Sequence, residues 1–221
     1  MKFFPTIRRK DNSGITEPQV SISKNSIEIG HQGKPVNGTT IEGHAYLLID
    51  CSGSMQANNK LKQAKKGALN FAKDALAKDY LTGLIQFDSS AKLMCEPGSD
   101  LSALENGLGK LEIGDLTHMA KAINLAYSLL NNQSGRRVMV IVTDGMPNGD
   151  GDPQSSLKSG ANAKKAGIDI ITIGTDDADE KFLKLLASRT QLGVKVDNKN
   201  LEKTITDSAM LLPGPKGITR K

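Results

Sequence analysis

An apolar run, Tyr46-Leu47-Leu48-Ile49, delivers Asp50, Ser52 and Ser54 at alternate positions into a glycine turn at Gly53. One carboxylate and two hydroxyls offered in this way are hard oxygen ligands aimed at one point. A small cation such as Mg²⁺ suits the set, because it takes few protein oxygens in near-octahedral geometry and keeps places for water or a further ligand. The same residues allow a plainer role: Ser52 and Ser54 stand where serines commonly cap the helix after a strand through its backbone amides. Cys51, between Asp50 and Ser52, is read as a small buried hydrophobe, since hard cations take oxygen in preference to sulfur.

This strand-borne Asp-x-Ser-x-Ser resembles the metal-ion-dependent adhesion site of von Willebrand factor type A domains. The pattern of that family has two further parts. A threonine in a later loop is matched by Thr117, in Gly114-Asp115-Leu116-Thr117 just ahead of a helical pattern. An aspartate closing another apolar strand is matched by Asp144, after Val138-Met139-Val140-Ile141-Val142-Thr143. The resemblance implies that Asp50, Ser52, Ser54, Thr117 and Asp144 surround one divalent cation, Mg²⁺ or else Mn²⁺ or Ca²⁺. It implies direct ligation by the serine hydroxyls and ligation by Thr117 either directly or through water, with Asp50 and Asp144 held one water away. Taken singly, Thr117 could cap the following helix and Asp144-Gly145 could be an ordinary turn. Such coincidences would all have to meet in one crevice.

The elements that must position these residues alternate along the chain. The continuous apolar run at 44–49 reads as a strand buried on both faces, and 81–87, 137–143 and 168–173 read as further strands. Between them, apolar residues recur with helical spacing over 61–76, 118–130, 155–166 and 180–188. A short strand at 91–95 follows its neighbour so closely that the two should pair antiparallel. Asp100 or Ser102 could cap a helix running to about 111, and a last strand is expected at 193–196. An amphipathic helix over 201–212, with Leu201, Ile205, Ala209 and Leu212 inward, closes the pattern. Alternation of this kind predicts an α/β, doubly wound, mostly parallel six-stranded sheet with helices on both faces. The resemblance implies a Rossmann-like strand order 3-2-1-4-5-6, with the short edge strand reversed. In that order the first and fourth strands are neighbours at the switch point, where ligands bind beyond the carboxyl ends. Asp50 ends the first and Asp144 the fourth. Residues 1–43 read as an N-terminal extension with a β-hairpin, 44–212 as the domain, and 213–221 as a flexible basic tail.

Composition narrows the classes of function. The chain has 221 residues, 38% hydrophobic and 24% charged, as in ordinary globular proteins, and can bury a core without staples. Two cysteines make no disulfide framework. The net charge of +5 is concentrated in the ends, from Lys2 to Lys10 and Lys216 to Lys221, with Lys60, Lys62, Lys65 and Lys66 lining the start of one helix. These groups read as solvated surface, and no aromatic residues interleave with them to stack on bases, which disfavours nucleic acid. The opening residues are too quickly interrupted by Arg8, Arg9 and Lys10 for a signal peptide, and no apolar run approaches a membrane span. The expected location is therefore cytoplasmic. The acidic loop Asn148-Gly149-Asp150-Gly151-Asp152 departs from the EF-hand pattern, with Pro153 where glycine is needed, and reads as a rim to the first site.

The resemblance implies a metal-dependent protein-binding module rather than an enzyme, whose cation takes a Glu or Asp side chain from a partner. Family members of this type often work in multiprotein assemblies, commonly beside AAA+ ATPases. In adhesive members the last helix slides when ligation changes. The alternative is a Mg²⁺-dependent hydrolase or phosphotransferase using Asp50 as nucleophile. Against it, haloacid dehalogenase-type phosphatases carry a second aspartate where this chain has Ser52, and no Gly-x-x-x-x-Gly-Lys loop or Gly-x-Ser-x-Gly elbow occurs.

Overall fold

The computed structural model describes residues 20–23, 26–29, 41–148 and 153–213. The chain divides into two units, Met1–Gly38 and Thr39–Lys221. In the first, β1 (Val20–Ser23) and β2 (Ser26–Ile29) form the antiparallel hairpin expected from their alternation, with Val20 opposite Ile29 and Ile22 opposite Ile27. Residues 149–152 of the acidic loop, the tail from 214 and the basic residues of both ends lie outside the described residues.

The second unit holds six strands: β3 (Gly43–Asp50), β4 (Tyr80–Phe87), β5 (Ala91–Gly98), β6 (Arg136–Thr143), β7 (Ile168–Gly174) and β8 (Gly193–Lys195). Their order is β5-β4-β3-β6-β7-β8, all parallel except β5. Counted within the sheet this is 3-2-1-4-5-6. The reversed edge strand is longer than its apolar run suggests, continuing past Cys95 to Gly98. It carries Pro97 there, which an edge position tolerates because one side of the strand needs no ladder partner.

The helices are α1 (Lys60–Leu76), α2 (Leu101–Gly109), α3 (Met119–Leu130), α4 (Pro153–Lys165), α5 (Glu180–Leu186) and α6 (Leu201–Asp207), the last continued by a 3₁₀ turn over Ser208–Leu211. Strand side chains alternate between faces, and the sheet uses both. Ala45, Leu47 and Ile49 pack with Ala64, Phe71, Leu104 and Ile205, from α1, α2 and α6. Tyr46 and Leu48 pack with Met119, Ile123, Ala163 and Leu186, from α3, α4 and α5. A strand covered on both sides has no polar face, so β3 reads as an unbroken apolar run.

The inward stripe of the last segment is as expected, with Leu201, Ile205, Ala209 and Leu212 all buried. The α-helix itself is shorter than expected and tightens into the 3₁₀ turn at Ser208, whose hydroxyl donates to the Ile205 carbonyl at 2.6 Å. Gly67 lets α1 and α6 touch, since a Cβ there would lie 2.8 Å from the Glu202 carbonyl oxygen and from Ile205. Asp100, not Ser102, caps α2, accepting the Ser102 amide at 2.9 Å. Among the described residues no helix is long and apolar enough to cross a membrane.

Candidate metal centre

The register of β3 on β6 pairs Ile49 with Val142, so Asp50 comes level with Thr143 and Asp144 stands one residue beyond the strand end. Asp50 is fully buried. Its Oδ1 accepts the Ser52 amide at 2.8 Å and its Oδ2 the Thr143 hydroxyl at 2.6 Å. The Ser54 hydroxyl donates to Asp144 Oδ1 at 2.7 Å and lies 3.2 Å from the Ser52 hydroxyl. A hydroxyl has one hydrogen. With that of Ser54 given to Asp144, Ser52 is the donor to Ser54. The chain Ser52 to Ser54 to Asp144 therefore bridges the ends of β3 and β6, and it turns the hydroxyl hydrogens away from the remaining oxygen lone pairs.

Capping does not account for these hydroxyls. Ser52 precedes a 3₁₀ segment, Gly53–Asn59, but makes no side-chain cap bond, and the residue at the cap of α3 is His118 rather than Thr117. Thr117 is buried in a loop that backbone hydrogen bonds tie to both neighbours. Gly114 N–H donates to the Cys51 carbonyl at 2.6 Å and Gly53 N–H to the Asp115 carbonyl at 3.2 Å. On the other side the Thr117 amide donates to Asn148 Oδ1 at 2.9 Å, and the Asn148 amide to the Thr117 carbonyl at 3.2 Å. The structure thus links Asp50, Ser52, Ser54 and Asp144 directly and brings Thr117 to them through its loop.

Gly114 is required by this closeness. A Cβ at that position would lie 2.6 Å from the Asp88 side chain. Asp88, buried at the end of β4, accepts from the Ser90 amide at 2.8 Å and from Gln86 at 3.0 Å, and its carbonyl takes the His118 amide at 2.9 Å. Burial works against its charge, but these hydrogen bonds hold its carboxyl below the usual range. Sequence reading saw only a hairpin link here; the carboxylate organises the threonine loop.

Lys60 corrects an expectation outright. Read as solvated surface, it is 4% exposed, and its ammonium pairs with Asp144 Oδ2 and, at 2.8 Å, with Asp176 Oδ2 just after β7. Burial alone would lower its pKa, but the two ion pairs lift it above the ordinary lysine value. His44 is structural as expected, its Nδ1 lying 3.1 Å from the Ser134 carbonyl at the opposite end of β3 from Asp50.

The electrostatics at Asp50 differ from those at Asp144. Among the described residues no lysine or arginine forms an ion pair with Asp50. Burial pushes its carboxyl up to about 6, against the pull of the Thr143 and Ser52 hydrogen bonds, and the nearby Asp144 charge adds to the rise. A buried carboxylate with no cationic partner is what a divalent ion would settle, and the hydroxyl lone pairs beside it are hard oxygens. Among the described residues no three His, Cys, Asp or Glu side chains gather as a metal cage, so a cation here would draw on hydroxyls. Burial pushes the Cys51 thiol up to about 12, leaving it protonated near neutrality and a poor ligand.

Residues 45–147 match the family of the von Willebrand factor type A domain. A UPF0353 protein of Mycolicibacterium paratuberculosis is 28% identical over 143 residues, which are 58% of this chain and 42% of that protein. The match thus spans under half the length of that relative. Among solved structures, the vWF domain of the type V pili tip protein Mfa5 from Porphyromonas gingivalis superposes with a TM-score of 0.70 at 15% identity, covering 78% of this chain and 95% of that one. Proximal thread matrix protein 1 from the mussel byssus, solved with a zinc-occupied MIDAS motif, gives a TM-score of 0.61 at 19% identity over 77% of this chain and 46% of that one. Residues 45–147 therefore carry the sequence pattern of a von Willebrand factor type A domain, on the doubly wound sheet that structures of that type share.

Proposed function

We propose that the domain binds a partner protein through a divalent cation, Mg²⁺ or its close substitutes, held by Ser52, Ser54 and Thr117 with Asp50 and Asp144 behind them. One observation carries this reading: the hydrogen-bonded chain from Ser52 through Ser54 to Asp144, beside a fully buried Asp50 that has no ion-pair partner among the described residues. Neutral hydroxyls leave the ion much of its charge, so it seeks an anionic ligand, which a Glu or Asp of the partner supplies. The loop that carries Thr117 also exposes Ile113 and Leu116, an apolar border for the surface around that acid. The zinc-occupied site of the mussel protein supports divalent binding in this fold.

The partner belongs to a multiprotein assembly inside the cell, of the kind built around AAA+ ATPases. Two free cysteines and the absence of a membrane-length helix among the described residues agree with that location. The enzymatic alternative fits less well, because both oxygens of Asp50 are engaged and the residue is fully buried, unlike an attacking nucleophile.

The test is calorimetry with Mg²⁺ and Mn²⁺ together with affinity capture with and without EDTA, Asp50→Ala serving as control. Metal binding and metal-dependent capture that both disappear in Asp50→Ala are expected. Phosphatase activity lost in the same variant would favour the enzyme.

A further inference from the structure

The buried lysine beside the metal centre has no counterpart in the ligand set. Lys60 is the first residue of α1, whose first turn contains no acidic residue. A helix N-terminus disfavours a cation, and burial of an ammonium is costly unless it is paired. The chain nevertheless puts it there by a kink, Asn58 and Asn59 both adopting left-handed backbone with φ of 53° and 58°. Two carboxylates compensate. Asp176, itself left-handed at φ 49°, holds the ammonium from the turn after β7, and its 30% exposed side chain is the more screened of the two. Asp144, 1% exposed at its side chain, gives Lys60 its Oδ2 while Ser54 takes its Oδ1.

We propose that Lys60 is a built-in counter-cation that shares Asp144 with the bound metal and keeps the hold of the domain on that metal weak. The inference rests on the metal reading above. Asp50 and Asp144 together would neutralise a divalent ion. Lys60 takes one oxygen of Asp144 and weakens the pull of that carboxylate on the metal, while Asp176, 30% exposed and screened by solvent, offsets the ammonium only in part. The filled site is then more positive than one without the lysine, which raises its demand for an acidic partner and lowers its affinity for metal alone.

Mn²⁺ titrated calorimetrically into the whole chain tests this. Lys60→Met, which keeps the length and apolar stem but removes the charge, is expected to bind Mn²⁺ about tenfold more tightly or better, as loss of a like charge on a shared carboxylate requires. Lys60→Arg should stay near the wild type. Wild-type binding with equal or weaker binding by a folded Lys60→Met overturns the inference and leaves the metal reading intact. Absence of Mn²⁺ binding in both overturns the two together. Should Lys60→Met fail to fold, Lys60→Gln decides, since it also removes the charge but keeps a polar end for the two carboxylates: tighter Mn²⁺ binding supports the proposal, and equal or weaker binding overturns it.

Discussion

At the scale of single residues the site is governed by which buried charges have partners. Asp50 has hydrogen bonds but, among the described residues, no ion-pair partner, and its folded pKa of about 6 lies above the ordinary 3.8. Its neutral form therefore fits the metal-free fold better. That contribution to stability is fully present below about pH 4, falls as the pH rises, and is lost above about 6. At about 1.4 kcal/mol per pKa unit it is on the order of 3 kcal/mol. In EDTA, the urea stability of the wild type measured against Asp50→Asn is expected to decline by roughly that amount between pH 4 and 7; a difference that stays flat would show that burial is not what shifts the group. Mg²⁺ affinity should rise over the same interval, because the proton must leave. Ser54→Ala cuts the bridge to Asp144 at an exposed position. It should cost under about 1 kcal/mol of metal-free stability while lowering Mg²⁺ affinity at least about tenfold, the loss expected when an oxygen ligand is removed outright. The proximity of Asp50, Ser52, Ser54 and Asp144 was legible because their types and order repeat a pattern. Lys60 and Asp88 were not, since their meaning comes from Asp144, Asp176 and Gly114, distant in sequence and joined only by the fold.

Elements explain both what could be read and what could not. The first strand was visible as a doubly buried apolar run, and the alternation of strand-like segments with helical spacing leaves few topologies once crossovers are right-handed. Boundaries followed less well. The edge strand outruns its apolar stretch through Pro97, and α6 stops at Asp207 although the inward stripe continues to Leu212. In both places hydrogen bonding, which hydrophobic pattern does not encode, decides where an element ends. The contact of α1 with α6 was likewise hidden, because a glycine inside a helix reads as a weakness. Gly67→Ala tests that contact. Helix propensity alone would stabilise by up to about 1 kcal/mol, yet the new Cβ would lie 2.8 Å from Ile205 and the Glu202 carbonyl oxygen. Net destabilisation of about 1–3 kcal/mol is expected in chemical denaturation, in line with overpacked cores. A gain in stability would mean that α6 moves away freely, as a last helix that slides would require.

For the whole molecule, the candidate ligands come from three separate stretches: the turn after β3, the loop before α3 and the end of β6. Only the folded sheet brings them together, so a metal that uses them binds the native state and not the unfolded chain. Linkage then fixes a magnitude: free Mg²⁺ at one hundred times its dissociation constant should stabilise by about 2.7 kcal/mol. For a chain of this size that corresponds to a rise in melting temperature of roughly 5–10 °C. The rise should follow the logarithm of metal concentration, since each tenfold increase beyond saturation adds about 1.4 kcal/mol. Asp50→Ala should lose it and Ser54→Ala should keep at most about half of it, while Lys60→Met should reach the same shift at lower Mg²⁺. Sodium chloride at matched ionic strength separates this from screening of the net charge of +5. An equal shift in sodium, or an undiminished one in Asp50→Ala, would place the effect on the surface at large and overturn the proposal that this domain binds through a metal centre.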